Sequence, residues 1–142
     1  MKIAFTTTTH FEHPAEEVWA MLTAWTRLPE WMPGVIAASG PPTPSVSGEL
    51  RLSTSRGERV SVITDCDVDR LITFRSTSGP VTADYRYDIA EQREGRTDVT
   101  LTGRCDVSGP LALAAPLIRR TLRRTDGGQL VELRTVMDAD AS

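Results

Sequence analysis

The feature that most constrains the fold is a change in hydrophobic period near residue 110. Between residues 48 and 107, apolar and polar residues alternate with a period of two, which is the pattern of half-buried strands. From Leu111 onward the apolar residues recur at helical spacing instead. One stripe of the predicted helix holds Leu111, Ala114, Ile118, Leu122, Leu133 and Met137, supported by Leu117 and Leu130. This combination predicts an antiparallel sheet with one apolar face and a long C-terminal helix that covers it.

Short breaks separate the alternating runs. The predicted strands are 2–12, 35–38, 48–54, 58–68, 71–76, 81–90 and 97–107. Because the connections after residue 54 are too short for crossover segments, neighbouring strands are expected to pair as antiparallel hairpins.

Helical signals follow the first strand and recur at the end of the chain. Pro14, followed by two glutamates, marks a helix start. Its apolar face would hold Val18, Trp19, Leu22 and Trp25. Pro29 is expected to end this helix, with residues 28–34 forming a second short helical turn. In the C-terminal helix, the Gly127-Gly128 pair is expected to weaken or kink the backbone.

Composition excludes several classes of protein. The 142 residues include 16 Lys+Arg and 19 Asp+Glu, a net charge of −3, so no general electrostatic attraction to nucleic acid is expected. No apolar run approaches the roughly 20 residues of a membrane span, and the start of the chain lacks the apolar core of a signal peptide. Cys66 and Cys105 lie far from each other and from His10 and His13. We therefore expect a cytoplasmic protein with reduced thiols, no metal site and no cofactor.

Strand parity nominates the residues that face the helix. The nominated residues are Ile3, Phe5, Thr7, Thr9 and Phe11; Val60, Val62, Thr64, Cys66 and Val68; Val81, Ala83, Tyr85, Tyr87 and Ile89; and Val99, Leu101, Gly103, Cys105 and Val107. The inward face of the strand at 71–76 is ambiguous. Ile72 and Phe74 suggest that one face points inward, whereas the opposite face holds Leu71, Thr73 and Arg75. The nominated face contains no histidine and no carboxylate.

Several segments together resemble a known superfamily. The opening HFEHPAEEVWAMLTAWTRLPEWMPGV has the Pro-x-x-x-Val-Trp helix start and the Leu-Pro-x-Trp-x-Pro-Gly turn of the polyketide cyclase/START-like (SRPBCC, Bet v 1-like) superfamily. VITDCDVDRLITFRS, YRYDIAEQREGRTDVTLTG and GPLALAAPLIRRTLRR resemble its later strands and its last helix. The resemblance covers nearly the whole chain. It implies an α+β helix-grip fold, in which a curved seven-stranded antiparallel sheet wraps around the C-terminal helix and two short helices lie between strands 1 and 2. It also implies a single START-like ligand-binding domain over residues 1–142, with a ligand cavity between sheet and helix.

The resemblance implies two alternative functions. One is a metal-free cyclase or aromatase that catalyses aldol closure and dehydration of a polyketide-like substrate; the other is a carrier of a lipid, quinone or aromatic metabolite. The catalytic candidates are Tyr85, Tyr87 and Arg75, because a phenol donates a hydrogen bond to a carbonyl or enolate and a guanidinium stabilises negative charge. The alternative for the tyrosines is a role as wall residues, and for Arg75 an outward salt bridge. The candidate substrate-binding residues are Trp31 at the cavity lip, Phe74, Thr64, Leu101, Ile118 and Leu122.

Four arginines form a cluster on the predicted C-terminal helix. They are Arg119, Arg120, Arg123 and Arg124, which make two i, i+4 pairs. Such a cluster is typical of a solvated helix face, or of a surface for an anionic partner such as an acyl-carrier protein, phospholipid headgroups or RNA. The sequence leaves this choice open, and it also leaves open whether the protein is a monomer or a homodimer.

Overall fold

A seven-stranded antiparallel sheet dominates the computed structural model, which describes residues 1–141. The strand order is β1-β7-β6-β5-β4-β3-β2, so β2 to β7 follow one another as a meander and β1 joins the far edge beside β7. The strands are β1 (Lys2–Phe11), β2 (Val35–Ser39), β3 (Glu49–Thr54), β4 (Gly57–Asp67), β5 (Leu71–Ser78), β6 (Val81–Arg93) and β7 (Arg96–Val107). With its early short helices and C-terminal helical segment, this curved sheet confirms the α+β helix-grip fold.

Five helical segments accompany the sheet. They are α1 (Ala15–Leu22), a 3-10 helix at Trp25–Glu30, a second 3-10 helix at Gly109–Ala114, α2 (Ala115–Asp126) and α3 (Gln129–Asp140). The prediction that α1 continues through Trp25 to Pro29 is wrong, because α1 ends at Leu22. The backbone N–H and side-chain hydroxyl of Thr23 both donate to the carbonyl of Trp19, which closes the last turn. None of the helices in residues 1–141 is both long enough and apolar enough to cross a membrane.

A bulge near the start of β1 reverses which of its first side chains point towards the core. The pairing with β7 shifts register between Ile3 and Phe5. As a result Ala4 and Phe5 are both buried, whereas Ile3 is 55% exposed and does not face the core as parity predicts. One extra residue in a strand moves all preceding side chains to the other face, which explains the error.

A second bulge corrects the prediction for β4. The register with β5 shifts between Ile63 and Asp65, so Ile63 and Cys66 both pair opposite inward-facing residues of β5. Ser61 and Ile63 are buried. The predicted inward residues Val60, Val62, Thr64 and Val68 are instead exposed or only half-buried, and of the predicted set only Cys66 faces the core side.

The two halves of the C-terminal segment differ in burial. In α3, Leu130, Leu133 and Met137 lie in the core, together with Trp25 and Trp31 from the first helical region. In α2 no described residue is buried. The predicted weak point at Gly127-Gly128 is a complete break between the two helices. The core is therefore closed by α3, while α2 lies over the β1–β7 edge as a less buried layer.

Candidate functional site

Two tyrosines of β6 bind the junction between α2 and α3. The hydroxyl of Tyr85 donates a hydrogen bond to the carboxylate of Asp126, the last residue of α2. The hydroxyl of Tyr87 donates to the side-chain carbonyl of Gln129, the first residue of α3. Both tyrosines face the helices, as strand parity predicts. Since their partners flank the Gly127-Gly128 break, this pair of contacts fixes the position of the break over the sheet.

Burial and charge set the protonation of these groups. Burial, and then the nearby charge of Asp126, raises the pKa of Tyr85 and of Tyr87 well above the usual phenol range. Burial also raises the pKa of the Asp126 carboxyl, opposed by the hydrogen bond from Tyr85 and by the charge of Arg59. Both phenols therefore remain hydrogen-bond donors, while Asp126 retains a proton to higher pH than a solvated carboxyl does.

Asp126 is the functional group that strand parity missed. Strand parity concerns only the strands, and their predicted inner face contains no carboxylate. The helix supplies one, because Ile118, Leu122 and Asp126 follow one another at intervals of four and so share one helix face. This spacing was readable in the sequence. By contrast, the effect of the Arg59 charge on the Asp126 pKa depends on the fold, which brings this exposed residue of β4 near α2. It could not be predicted from the sequence.

Aromatic rings surround the tyrosines. Tyr87 makes edge-to-face contacts with Trp31 and Phe74, with ring centroids 6.3 and 6.0 Å apart. Tyr85 makes a similar contact with Phe5 at 5.8 Å. Gly103 makes the Phe5 position possible, because a Cβ there would lie 2.4 Å from the Phe5 ring. The interior therefore contains a cluster of aromatic rings in edge-to-face contact, and two of its members, Tyr85 and Tyr87, carry hydroxyl groups.

Two buried polar side-chain atoms have no hydrogen-bond partner within the described part of the chain. They are the indole Nε1 of Trp31 and the hydroxyl oxygen of Thr7. Trp31 is 3% exposed, so it lies in the core rather than at a cavity lip as expected. Buried polar groups normally find a partner, so these two atoms are exceptions in an otherwise hydrogen-bonded interior.

The remaining candidate residues divide between the two faces of the sheet. Arg75 lies on the outer face, where its guanidinium donates two hydrogen bonds of 2.7 Å to Asp84. Thr64 is exposed at the β4 bulge. By contrast, Leu101 is fully buried beside Tyr87, and Ile118 and Leu122 are half-buried on α2. The structure thus brings Tyr85, Tyr87, Phe74, Trp31 and Leu101 together and separates Arg75 and Thr64 from them.

Two surface grooves lie away from the tyrosines. The first, of about 440 Å³, lies between α1 and α3 and is lined by His13, Glu17, Ala20, Met21, Ala24, Arg27, Met137, Asp140 and Ala141. The second, of about 430 Å³, is lined by Met1, Lys2, Cys105, Asp106, Val107, Ala112, Leu113, Ala115, Pro116 and Arg119. Neither groove includes Tyr85 or Tyr87, so neither is the expected cavity between sheet and helix.

Comparison with known proteins gives the family. Residues 2–138 match the family described as polyketide cyclase / dehydrase and lipid transport. The chain belongs to this family. The match confirms the resemblance seen in the sequence and covers every strand and nearly all of α3 in this polyketide cyclase/dehydrase-family protein.

Solved structures share its fold. The Zhui aromatase/cyclase from Streptomyces sp. R1128 is 18% identical, with a TM-score of 0.74 over 97% of this chain and 94% of that one. The di-domain ARO/CYC BexL from the BE-7585A biosynthetic pathway is 16% identical, with a TM-score of 0.78, and this chain covers 47% of it. XoxI from Bacillus cereus is 17% identical, with a TM-score of 0.69 over 96% of this chain and 95% of that one. At these identities the likeness concerns the fold. A comparison with curated proteins gives no match.

Proposed function

We propose that this polyketide cyclase/dehydrase-family protein binds a hydrophobic, carbonyl-bearing molecule between the sheet and α2, and catalyses its aldol cyclisation and dehydration. The observation that supports this proposal is the Tyr85–Asp126 contact, in which a phenol of raised pKa donates a hydrogen bond to a half-buried carboxyl whose pKa is also raised. A proton donor and a proton acceptor side by side in a partly dry site are the minimum that enolate chemistry needs.

Access to this pair requires movement of α2. The helix has no buried residue and is followed by two glycines, so lifting it exposes little core surface. The guanidinium of Arg123 holds it to β1 by hydrogen bonds of 3.2 and 3.1 Å to the carbonyl of Ala4, at the β1 bulge. A ligand that enters under α2 would meet Tyr85 and Asp126, whose side chains face each other between β6 and α2.

The proposed reaction uses one base and one hydrogen-bond donor. Asp126, in its carboxylate form, removes a proton from a methylene carbon between two carbonyl groups, and Tyr85 donates a hydrogen bond to the enolate oxygen that develops. The enolate carbon attacks a third carbonyl further along the same chain, a carbon–carbon bond forms as the carbonyl π bond breaks, and the new alkoxide takes the proton from Asp126. Dehydration repeats the cycle: Asp126 removes the remaining α-proton, returns it to the departing hydroxyl, and water leaves.

Tyr87 and Arg75 do not enter this proposed mechanism. The Tyr87 hydroxyl is completely buried and bound to Gln129, so we assign it the role of positioning the α2–α3 junction. Arg75 is paired with Asp84 on the opposite face of the sheet.

The test is turnover of a soluble poly-β-ketone thioester by the full chain. We expect Tyr85→Phe and Asp126→Asn to lower kcat by about 10²-fold or more, the usual contribution of a positioned acid–base group, with little change in ligand affinity. The matched control is Asp88→Asn, a carboxylate paired with Arg86 on the outer face, which should leave turnover unchanged.

The carrier alternative gives a different result in the same experiment. The family description includes lipid transport. If native mass spectrometry shows the wild-type protein binding the thioester and releasing it with unchanged mass, and both variants behave alike, the protein is a carrier. The cyclase proposal is then wrong, although the binding site is retained.

A further inference from the structure

Exposed leucines and arginines share the outer side of α2 and of the turn before it. Leu113 is 95% exposed and Leu117 is 64% exposed. Leu117, Arg120 and Arg124 follow one another at intervals of three and four residues, so they lie along one line of α2, opposite the face that holds Asp126, and Leu113 precedes them in the 3-10 helix. We call Leu113, Leu117, Arg120 and Arg124 the outer α2 surface.

The charge of this segment is opposite to that of the rest of the chain. Residues 107–125 contain four arginines and no acidic residue, whereas the remainder has 12 Lys+Arg against 19 Asp+Glu. Within residues 1–141, Arg120 and Arg124 have no carboxylate partner, in contrast to Arg75 and Arg86 on the sheet. Two unpaired cations beside two exposed leucines therefore lie on a protein that is otherwise acidic.

The 430 Å³ groove extends this surface towards the start of the chain. Leu113 and Arg119 line it together with Met1 and Lys2, and Met1 is 48% exposed. The groove contains one carboxylate, Asp106, against the cations of Lys2 and Arg119. The apolar and basic character is thus continuous from α2 to the beginning of β1.

We propose that the outer α2 surface binds an anionic lipid bilayer. Leu113 and Leu117 insert at the boundary between headgroups and acyl chains, and Arg120, Arg124 and Lys2 pair with lipid phosphates. Charge complementarity requires an anionic partner. A bilayer is favoured over an acidic protein because a nearly fully exposed leucine protrudes from the surface, and a fluid acyl layer accepts it without a matching pocket.

The test is flotation of the full chain with vesicles of phosphatidylcholine mixed with phosphatidylglycerol, compared with pure phosphatidylcholine. Wild-type protein should float with the mixed vesicles and dissociate as salt is raised. Arg120→Gln/Arg124→Gln should weaken binding about thirtyfold, since each surface cation contributes about a fivefold factor. Leu113→Ser/Leu117→Ser should weaken binding at every salt concentration.

Matched controls lie elsewhere on the surface. Arg56→Gln/Arg93→Gln removes two exposed arginines outside α2, and Ile36→Ser/Val68→Ser removes two exposed apolar side chains. Both should bind vesicles like the wild type. Equal binding to both vesicle types, equal loss in the controls, or no vesicle binding together with binding to an isolated acidic acyl-carrier protein would overturn the proposal. Because Tyr85 and Asp126 lie on the inner face, none of these results depends on the proposed catalysis.

Discussion

Asp126 is the residue on which the proposed chemistry depends, and its properties come from three different elements. Its own helix, α2, places it on the inner face; β6 supplies the Tyr85 hydroxyl; and β4 supplies the charge of Arg59. Strand parity correctly predicted the inward direction of Tyr85 and Tyr87, because no bulge interrupts the pairing of β6 with β5. It could not predict their partners, since these lie more than forty residues away along the chain.

The raised pKa of Asp126 predicts a pH-dependent stability. A carboxyl that binds its proton more tightly in the folded state stabilises the fold below the ordinary Asp pKa of about 3.9, and this contribution is lost as pH rises through the folded-state pKa. We therefore expect the free energy of unfolding of the wild-type protein, relative to Asp126→Asn, to fall as pH rises from about 4 towards neutrality. Urea denaturation at a series of pH values measures this difference.

Tyr85→Phe provides the control for that measurement. Without the phenol donor the Asp126 pKa should rise further, because the hydrogen bond from Tyr85 is one of the two contributions that lower it. The pH at which stability is lost should then be higher than in the wild type. A relative stability of wild type and Asp126→Asn that is constant with pH would contradict the raised pKa of Asp126.

At the scale of elements, the C-terminal segment shows what local pattern can and cannot predict. The helical period and the weak point at Gly127-Gly128 were both readable in the sequence. The different burial of the two halves was not, because Leu117 and Leu133 look equally apolar and only the fold decides that one is 64% exposed and the other is in the core. The two glycines themselves differ: a Cβ at Gly127 would lie 2.4 Å from the carbonyl oxygen of Arg123, and one at Gly128 meets nothing within 4 Å.

This difference predicts opposite effects of the same substitution at adjacent positions. Gly128→Ala should stabilise the protein by up to about 1 kcal/mol and slow the opening of α2, because alanine restricts the unfolded chain and favours helix. Gly127→Ala should destabilise it, since the clash is with backbone. Hydrogen exchange of the α2 amides and urea unfolding measure the two effects. Faster α2 exchange in Gly128→Ala would contradict the role of this pair as the hinge.

At the scale of the whole molecule, α3 is tied to the segment that contains α1. The imidazole of His13, just before α1, lies 2.8 Å from a carboxylate oxygen of Asp138, and Arg27 lies 2.6 Å from one of Asp140. Beneath these polar contacts Leu130, Leu133 and Met137 complete the core. The core is therefore closed mainly by α3, while α2 is held to the sheet by the Arg123–Ala4 and Tyr85–Asp126 contacts and contributes no fully buried residue.

Leucine truncation should show this division. Leu133→Ala, at a fully buried position, should lower the free energy of unfolding by about 2–5 kcal/mol. Leu122→Ala, on half-buried α2, should cost about 1 kcal/mol or less, because its site is already partly open to water. Chemical denaturation measures the loss in free energy of unfolding for each variant. Equal losses would mean that α2 belongs to the closed core.

By itself the sequence determined the strands, the meander, the C-terminal helical segment and the family, because hydrophobic period and turn residues are local properties that survive without knowledge of partners. Tertiary structure alone decided the inward residues of β4 and the first residues of β1, since a bulge of one residue depends on the register with the neighbouring strand and reverses every prediction beyond it. It also decided the outward direction of Arg75, the burial of Trp31 and the meeting of Tyr85 with Asp126. In each case the side chain either remains exposed to water or contacts a residue from a distant part of the chain. Which of the two occurs depends on how the strands and helices pack together.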